Sequence, residues 1–263
     1  IHHPPSGSEA ALEVSEKMLE QFPDDYESIW LLNLAYMTLG RHPHDVPSQW
    51  LLKSETHSGL TIPKFKDVGM DMGVAKRGRA GGSIIDDFNG DGLLDILESG
   101  SGVKMRHVTL FINNGDGTFE DVTQKAGLES IGSELNVVHA DYNNDGHMDF
   151  FVPHGAWTGR KSLNCLVKNN GDGTFSDVTI EAGLESCDAP AQSAAWGDFN
   201  NDGWIDLFVG NESGDFMSAI ARRKVTHFQY PCQLFMNNGD GTFTDIAEKV
   251  GLDITAHIKG ALW

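Results

Sequence analysis

Apolar and polar positions alternate along this chain with two different periods. In residues 8–40, SEAALEVSEKMLEQFPDDYESIWLLNLAYMTLG, the apolar Ala11, Val14, Met18 and Leu19 recur at the spacing of one helix face. Phe22-Pro23 ends that run, Asp24 or Asp25 can cap the next, and Ile29, Leu32, Leu34, Tyr36 and Leu39 carry it to a terminating Gly40. The pattern predicts an αα-hairpin. The proline-spotted stretch HPHDVPSQWLLKSETHSG, residues 42–59, reads as a linker. These readings divide the chain into a helical unit over 1–58 and a second region over 59–263.

From residue 65 the period changes. Short apolar runs, DILES, DFFVP and DLFVGN, alternate with TLFINN, CLVKNN and QLFMNN, each of strand length and each bounded by turn residues. The region also repeats itself. DDFNGDGLLD returns as ADYNNDGHMD and GDFNNDGWID with first aspartates at 87, 141 and 198, a spacing of 54 and then 57 residues. NNGDGTF keeps step, beginning at Asn113, Asn169 and Asn237 and leading into FEDVTQKAGL, FSDVTIEAGL and FTDIAEKVGL. FKDVGMDMGV, residues 65–74, is a partial earlier copy of those tails. One repeat then supplies four short strands: one before the DxNxDGxxD loop, one after it, one before NNGDG and one led by its Thr-Phe. Four antiparallel strands at this period are the content of a β-propeller blade. A solenoid of such units is the alternative, but it leaves its edges uncovered. Trp263 aligns with Trp196, so a partial propeller is expected, cut just before a further loop.

The loops carry the chemistry. Side chains at alternate positions of an extended chain face opposite ways, so D-x-N-x-D converges on one point only if the backbone curls. Gly92, Gly146 and Gly203 at the sixth position permit that curl. Asp87, Asn89 and Asp91 then come together with the Leu93 carbonyl and the Asp95 carboxylate; Asp141, Asn143 and Asp145 with the His147 carbonyl and Asp149; Asp198, Asn200 and Asp202 with the Trp204 carbonyl and Asp206. Six or more oxygen donors at about 2.3–2.6 Å suit Ca²⁺ better than Mg²⁺, which prefers strict octahedral geometry and retained waters. About three calcium sites are expected. The competing reading is a metal-free Asx turn, which would leave several carboxylates crowded in each loop. An EF-hand requires Glu at position twelve between two helices, whereas these loops offer Glu98, Val152 and Val209 between strands. NNGDG reads first as a hairpin turn, with Asp116, Asp172 and Asp240 as weaker candidate ligands.

Composition narrows the partners. A formal charge of -19, from 38 acidic and 19 basic residues, opposes nucleic-acid binding through phosphates. No apolar run is long enough for a membrane span. Cys165, Cys187 and Cys232 lie far apart with no CxxC spacing, which opposes a zinc or redox motif. His107, His139, His154 and His227 are scattered through the repeats, and no GxSxG or HExxH signature marks a catalytic centre. The longest insertion, Gly210 to Cys232, carries Arg222, Arg223 and Lys224 on an otherwise acidic chain and is the candidate place for ligand specificity.

With both signatures described, residues 65–263 closely resemble the FG-GAP-like (VCBS-type) repeats of the cartilage acidic protein family, whose bacterial members often carry an ASPIC/UnbV segment further on. Pro23, Leu32, Tyr36 and Gly40 similarly resemble a tetratricopeptide helix. The FG-GAP resemblance implies a mainly β fold of integrin-α-like β-propeller blades behind a short helical hairpin. It also implies calcium held between the first and second strands of each blade, by the loop residues named above. Three functions stay open. The first is a non-catalytic calcium-dependent binding, adhesion or scaffolding module, extracellular, periplasmic or at the cell surface, with a protein or glycan ligand. The second is a structural subunit of an extracellular fibre that self-associates. The third is a propeller-type hydrolase or lyase, which would rest on fold analogy.

Overall fold

A computed structural model of the chain describes residues 6–52, 65–76, 81–100, 107–155, 163–215 and 227–262. The chain divides into two compact units, Ile1–Phe65 and Lys66–Trp263. The expected boundary at 58/59, the basic cluster Arg222, Arg223 and Lys224, and Trp263 lie outside the described residues.

The first unit is the expected hairpin, α1 (Ser6–Gln21) against α2 (Tyr26–Thr38). Asp25 caps α2, its Oδ2 accepting a hydrogen bond from the Ser28 amide at 3.0 Å. The buried face differs from the expected stripe. Leu12, Ser15 and Leu19 face inward from α1, while Val14 is 62% and Met18 42% exposed. On α2, Leu32, Ala35 and Tyr36 are buried and Leu34 is exposed. The inward row of α1 passes through a serine, small enough for a close helix approach, so its apolarity does not mark it. Residues 42–52 are also more than a linker. Val46 joins the hairpin core, and the buried Asn33 brackets the segment: its Nδ2 donates to the Trp50 carbonyl at 2.7 Å and its Oδ1 accepts from the Leu52 amide at 3.1 Å.

The second unit contains three four-stranded antiparallel sheets, each a meander. The first comprises β1 (Ser83–Asp86), β2 (Asp95–Glu98), β3 (Thr109–Asn113) and β4 (Phe119–Asp121). The second comprises β5 (Val138–Ala140), β6 (Asp149–Val152), β7 (Cys165–Asn169) and β8 (Phe175–Asp177). In the third, β9 (Ala191–Gly197) and β10 (Asp206–Asn211) pair ahead of a two-stranded excursion, β11 (Gly214–Asp215) with β12 (His227–Phe228); β13 (Gln233–Asn237) and β14 (Phe243–Asp245) complete it. The excursion is built from the flanks of the long insertion. Each DxNxDGxxD loop joins the first and second strands of its sheet, and each NNGDG turn joins the third and fourth. This is the expected four-strand repeat of propeller blades, present three times among the described residues.

The period-2 rule explains how the blades stack. On β6, Phe150 and Val152 enter the core shared with the first sheet, where they meet Leu97 and Leu110. Phe151, pointing the other way, enters the core shared with the third sheet, beside Leu207 and Phe235. The middle sheet is therefore buried on both faces, which is why Phe150, Phe151 and Val152 are apolar without a break and all buried. Full burial of each phenylalanine stabilises by about 1.5–3 kcal/mol.

Backbone contacts carry the stacking along the chain. The Phe175 amide donates to the Ala126 carbonyl at 2.9 Å, and the Phe243 amide to the Ala182 carbonyl at 2.9 Å. The Ala-Gly-Leu tail of one repeat thus lies against the outer strand of the next. Its glycine has φ near +77° at Gly183, where an added Cβ would lie 3.1 Å from the Phe243 carbonyl oxygen. Gly73 stands in the same relation to Phe119 at 3.2 Å, so the partial copy at residues 65–74 completes the series.

Candidate metal centre

The three loops are built by one internal hydrogen-bond pattern. In the first, Asp87 Oδ1 accepts from the Asp91 amide at 3.1 Å and Oδ2 from the Gly92 amide at 2.8 Å. Asn89 Oδ1 accepts from the Asp91 amide at 2.9 Å, and Asp91 Oδ1 from the Leu93 amide at 2.8 Å. Asp141, Asn143 and Asp145 repeat each of these bonds around Gly146 and His147. So do Asp198, Asn200 and Asp202 around Gly203 and Trp204. The sixth-position glycines have φ of 84°, 87° and 91°, where other residues are strained.

The ninth position has a different role. Asp95, Asp149 and Asp206 are at most 1% exposed. Each spreads its two oxygens across the blade. Asp95 accepts from the Phe88 amide at 3.0 Å and the Asn113 amide at 2.8 Å; Asp149 accepts from Tyr142 and Asn169, and Asp206 from Phe199 and Asn237. The carboxylate ties the loop to the start of the NNGDG turn. Burial pushes the Asp95 and Asp206 carboxyls above the usual range and that of Asp149 up to about 7, and the negative charges at positions one and five push the same way.

NNGDG is a turn in all three copies. Asp116 Oδ1 accepts from the Thr118 amide at 2.9 Å and its hydroxyl at 2.6 Å, bonds that hold its carboxyl below the usual range, and Asp172 and Asp240 do the same with Thr174 and Thr242. The first asparagine of the motif has a function the sequence reading missed. Asn169 Nδ2 donates to the Phe88 carbonyl of the preceding blade at 2.8 Å, and Asn237 Nδ2 to the Tyr142 carbonyl at 2.8 Å. Each clamps its own turn onto the loop of its neighbour. Its recurrence at the head of NNGDG in all three repeats was the available signal. The seventh-position side chains lean on the same turns: an added Cβ at Gly115 would meet Leu93 at 3.3 Å, one at Gly239 would meet Trp204 at 3.0 Å, and His147 fills the space beside Gly171.

The remaining candidates have structural surroundings. His139 Nε2 lies 2.9 Å from Asp86 Oδ2, and His154 Nδ1 2.8 Å from the Leu163 carbonyl. The side chain of His227 lies outside the described residues. The three cysteines are buried and unpaired with one another.

What the loops offer chemically is a set of oxygen donors only. Among the described residues, no three Asp, Glu, His or Cys side chains gather into a ready metal cluster. Each loop also carries the amide oxygen of its third-position asparagine, which accepts from the fifth-position backbone amide. Burial is the main cause of the raised ninth-position carboxyls, and the two other loop aspartates add a smaller repulsion of the kind a cation would relieve. The residues present fit a hard, oxygen-seeking ion.

The FG-GAP-like repeat family matches residues 87–152 and 156–209, stretches that contain all three loops. These two stretches are FG-GAP-like repeats. It is 28% identical over 230 residues to cartilage acidic protein 1 of Xenopus tropicalis, covering 83% of this chain and 32% of the relative. It is 29% identical over 191 residues to the human cartilage acidic protein 1, covering 70% of this chain and 26% of that protein. The chain thus spans about a third or less of the length of these relatives, and the expected resemblance to the cartilage acidic protein family stands. No helix among its described residues is long and apolar enough to cross a membrane.

Proposed function

We propose that this FG-GAP chain is a calcium-binding, non-catalytic module of an extracellular protein, presenting blade surfaces to a protein or glycan ligand for adhesion or scaffolding. The carrying observation is the identical oxygen bracket in three loops, each closed by a buried carboxylate whose neighbours are also acidic. Calcium would be held by Asp87, Asn89, Asp91, the Leu93 carbonyl and Asp95, and by the matching residues of the other two loops. Its charge relieves the repulsion among those carboxylates. The protein's own residues then transmit the gain: ninth-position carboxylates to the turns, turn asparagines to the next blade. The likeness to cartilage acidic proteins and the acidic charge of this chain support an extracellular setting, where loops of modest affinity stay filled.

Thermal unfolding tests the reading. One site at a hundredfold excess of calcium over its Kd stabilises by about 2.7 kcal/mol, or roughly 5–10 °C for a unit of this size. Calcium should raise the midpoint by at least that, and a chelator should reverse it. Equal midpoints with calcium and chelator would refute the calcium assignment.

A further inference from the structure

The three loops share their internal bonds but not their surroundings. On β7, Lys168 stands one residue before the turn asparagine Asn169; Ile112 and Met236 hold that place on β3 and β13. Lys168 Nζ lies 3.2 Å from Asp145 Oδ2, and both side chains are about one-third exposed. That oxygen also accepts from Asn143 Nδ2 at 2.9 Å. Among the described residues, its equivalents on Asp91 and Asp202 accept only the neighbouring asparagine amide, and neither aspartate has a cationic partner. The middle loop alone thus holds a positive charge of its own, on the carboxylate at position five.

We infer that Lys168 is an internal counter-ion that makes the middle loop the weak calcium site of the three. The inference rests on the calcium reading and refines it. The Lys168 ammonium competes for a ligand oxygen, and it repels a divalent ion that approaches the same carboxylate. Two like-signed charges a few ångströms apart in a half-exposed site weaken binding on the order of tenfold. The flanking loops would fill first, and the middle loop only at higher calcium, where the ion displaces Lys168 from Asp145. The middle loop sits in the sheet buried between the other two, so its late filling would adjust the join between both neighbours.

Calcium titration calorimetry on the whole chain, starting from calcium-free protein, tests this. The wild type should show two tighter steps and one about tenfold weaker. Lys168→Met and Lys168→Ile, which install the residues of the sister blades, should bring the third step into the range of the other two. Asp145→Asn should remove the weak step, and Asp202→Asn a tight one. Urea unfolding midpoints of the lysine variants, measured in parallel, confirm that the titrations report folded protein. Three equivalent wild-type sites, or a weak step unmoved in both folded lysine variants, would overturn the inference and leave the calcium reading standing. No calcium uptake by any loop would overturn both.

Discussion

Removing the clamp between two blades should cost far more than removing the same side chain where no preceding loop is clamped. Asn169 is 1% exposed; its Nδ2 serves the Phe88 carbonyl at 2.8 Å and the Met148 carbonyl at 3.3 Å, and its Oδ1 accepts from the Gly171 amide at 3.0 Å. Asn169→Ala strands a carbonyl that is out of reach of water and frees a turn amide. A buried polar group left without a partner costs about 1–3 kcal/mol, so the variant should lose about 3 kcal/mol. Asn113 makes the same turn bond to Gly115, but its Nδ2 reaches only the exposed Leu94 carbonyl within its own blade. Water replaces both, and Asn113→Ala should lose about 0.5–1 kcal/mol. In thermal unfolding at fixed calcium, a unit of this size converts these into midpoint drops of about 6–12 °C and about 1–4 °C. Asn237→Ala, which strands the Tyr142 carbonyl, belongs with the larger class. Equal losses at Asn113 and Asn169 would refute the clamp, because the turn bond alone would then account for both.

Further outcomes follow from the same geometry. In calcium-free protein, folded Asp149 keeps a proton up to about pH 7 that the unfolded chain releases near its ordinary carboxylate value. The native state therefore binds more protons between about pH 4 and 7, and urea-measured stability should fall as pH rises through that window, by on the order of 4 kcal/mol; saturating calcium, which favours the ionised form, should flatten the slope. A calcium-free stability that rises across the window would contradict the buried environment of Asp149. Gly183→Ala places a side chain at positive φ and against the Phe243 carbonyl, and should lower the unfolding free energy by about 1–2 kcal/mol, whereas Gly241→Ala, with open space around it, should cost less. Burial pushes the Cys165 and Cys187 thiols up to about 12, so their alkylation at neutral pH should track global unfolding in a denaturant series and be negligible before it.

Much of this protein is legible in its residues because its repeats restate the same local rules. Strand placement follows from short apolar runs bounded by NG and DG turns. The nine-residue loops follow from oxygen donors at fixed spacing around a glycine, and those are properties of a few neighbouring residues in one chain. The helical unit shows where local reading stops. Its two helices are visible as periodic runs, yet Val14 and Leu34 are exposed while Ser15 and Asn33 are buried. Which face turns inward depends on side-chain size and on a hydrogen bond to Leu52, nineteen residues beyond Asn33.

The chain's own pattern thus determined the repeat, the four-strand content of each blade and the oxygen donors of each loop, since period, spacing and turn chemistry act over a few residues. Only the tertiary structure decided how blades join. The Phe88 carbonyl meets Asn169 eighty-one positions away, and Tyr142 meets Asn237 at a separation of ninety-five. Only the fold, likewise, set Lys168 against Asp145 and so distinguished one loop from two that carry the same motif. Hydrogen bonds and ion pairs act over about 3 Å in space, and sequence spacing does not encode distances between strands that the stacking of blades alone brings together.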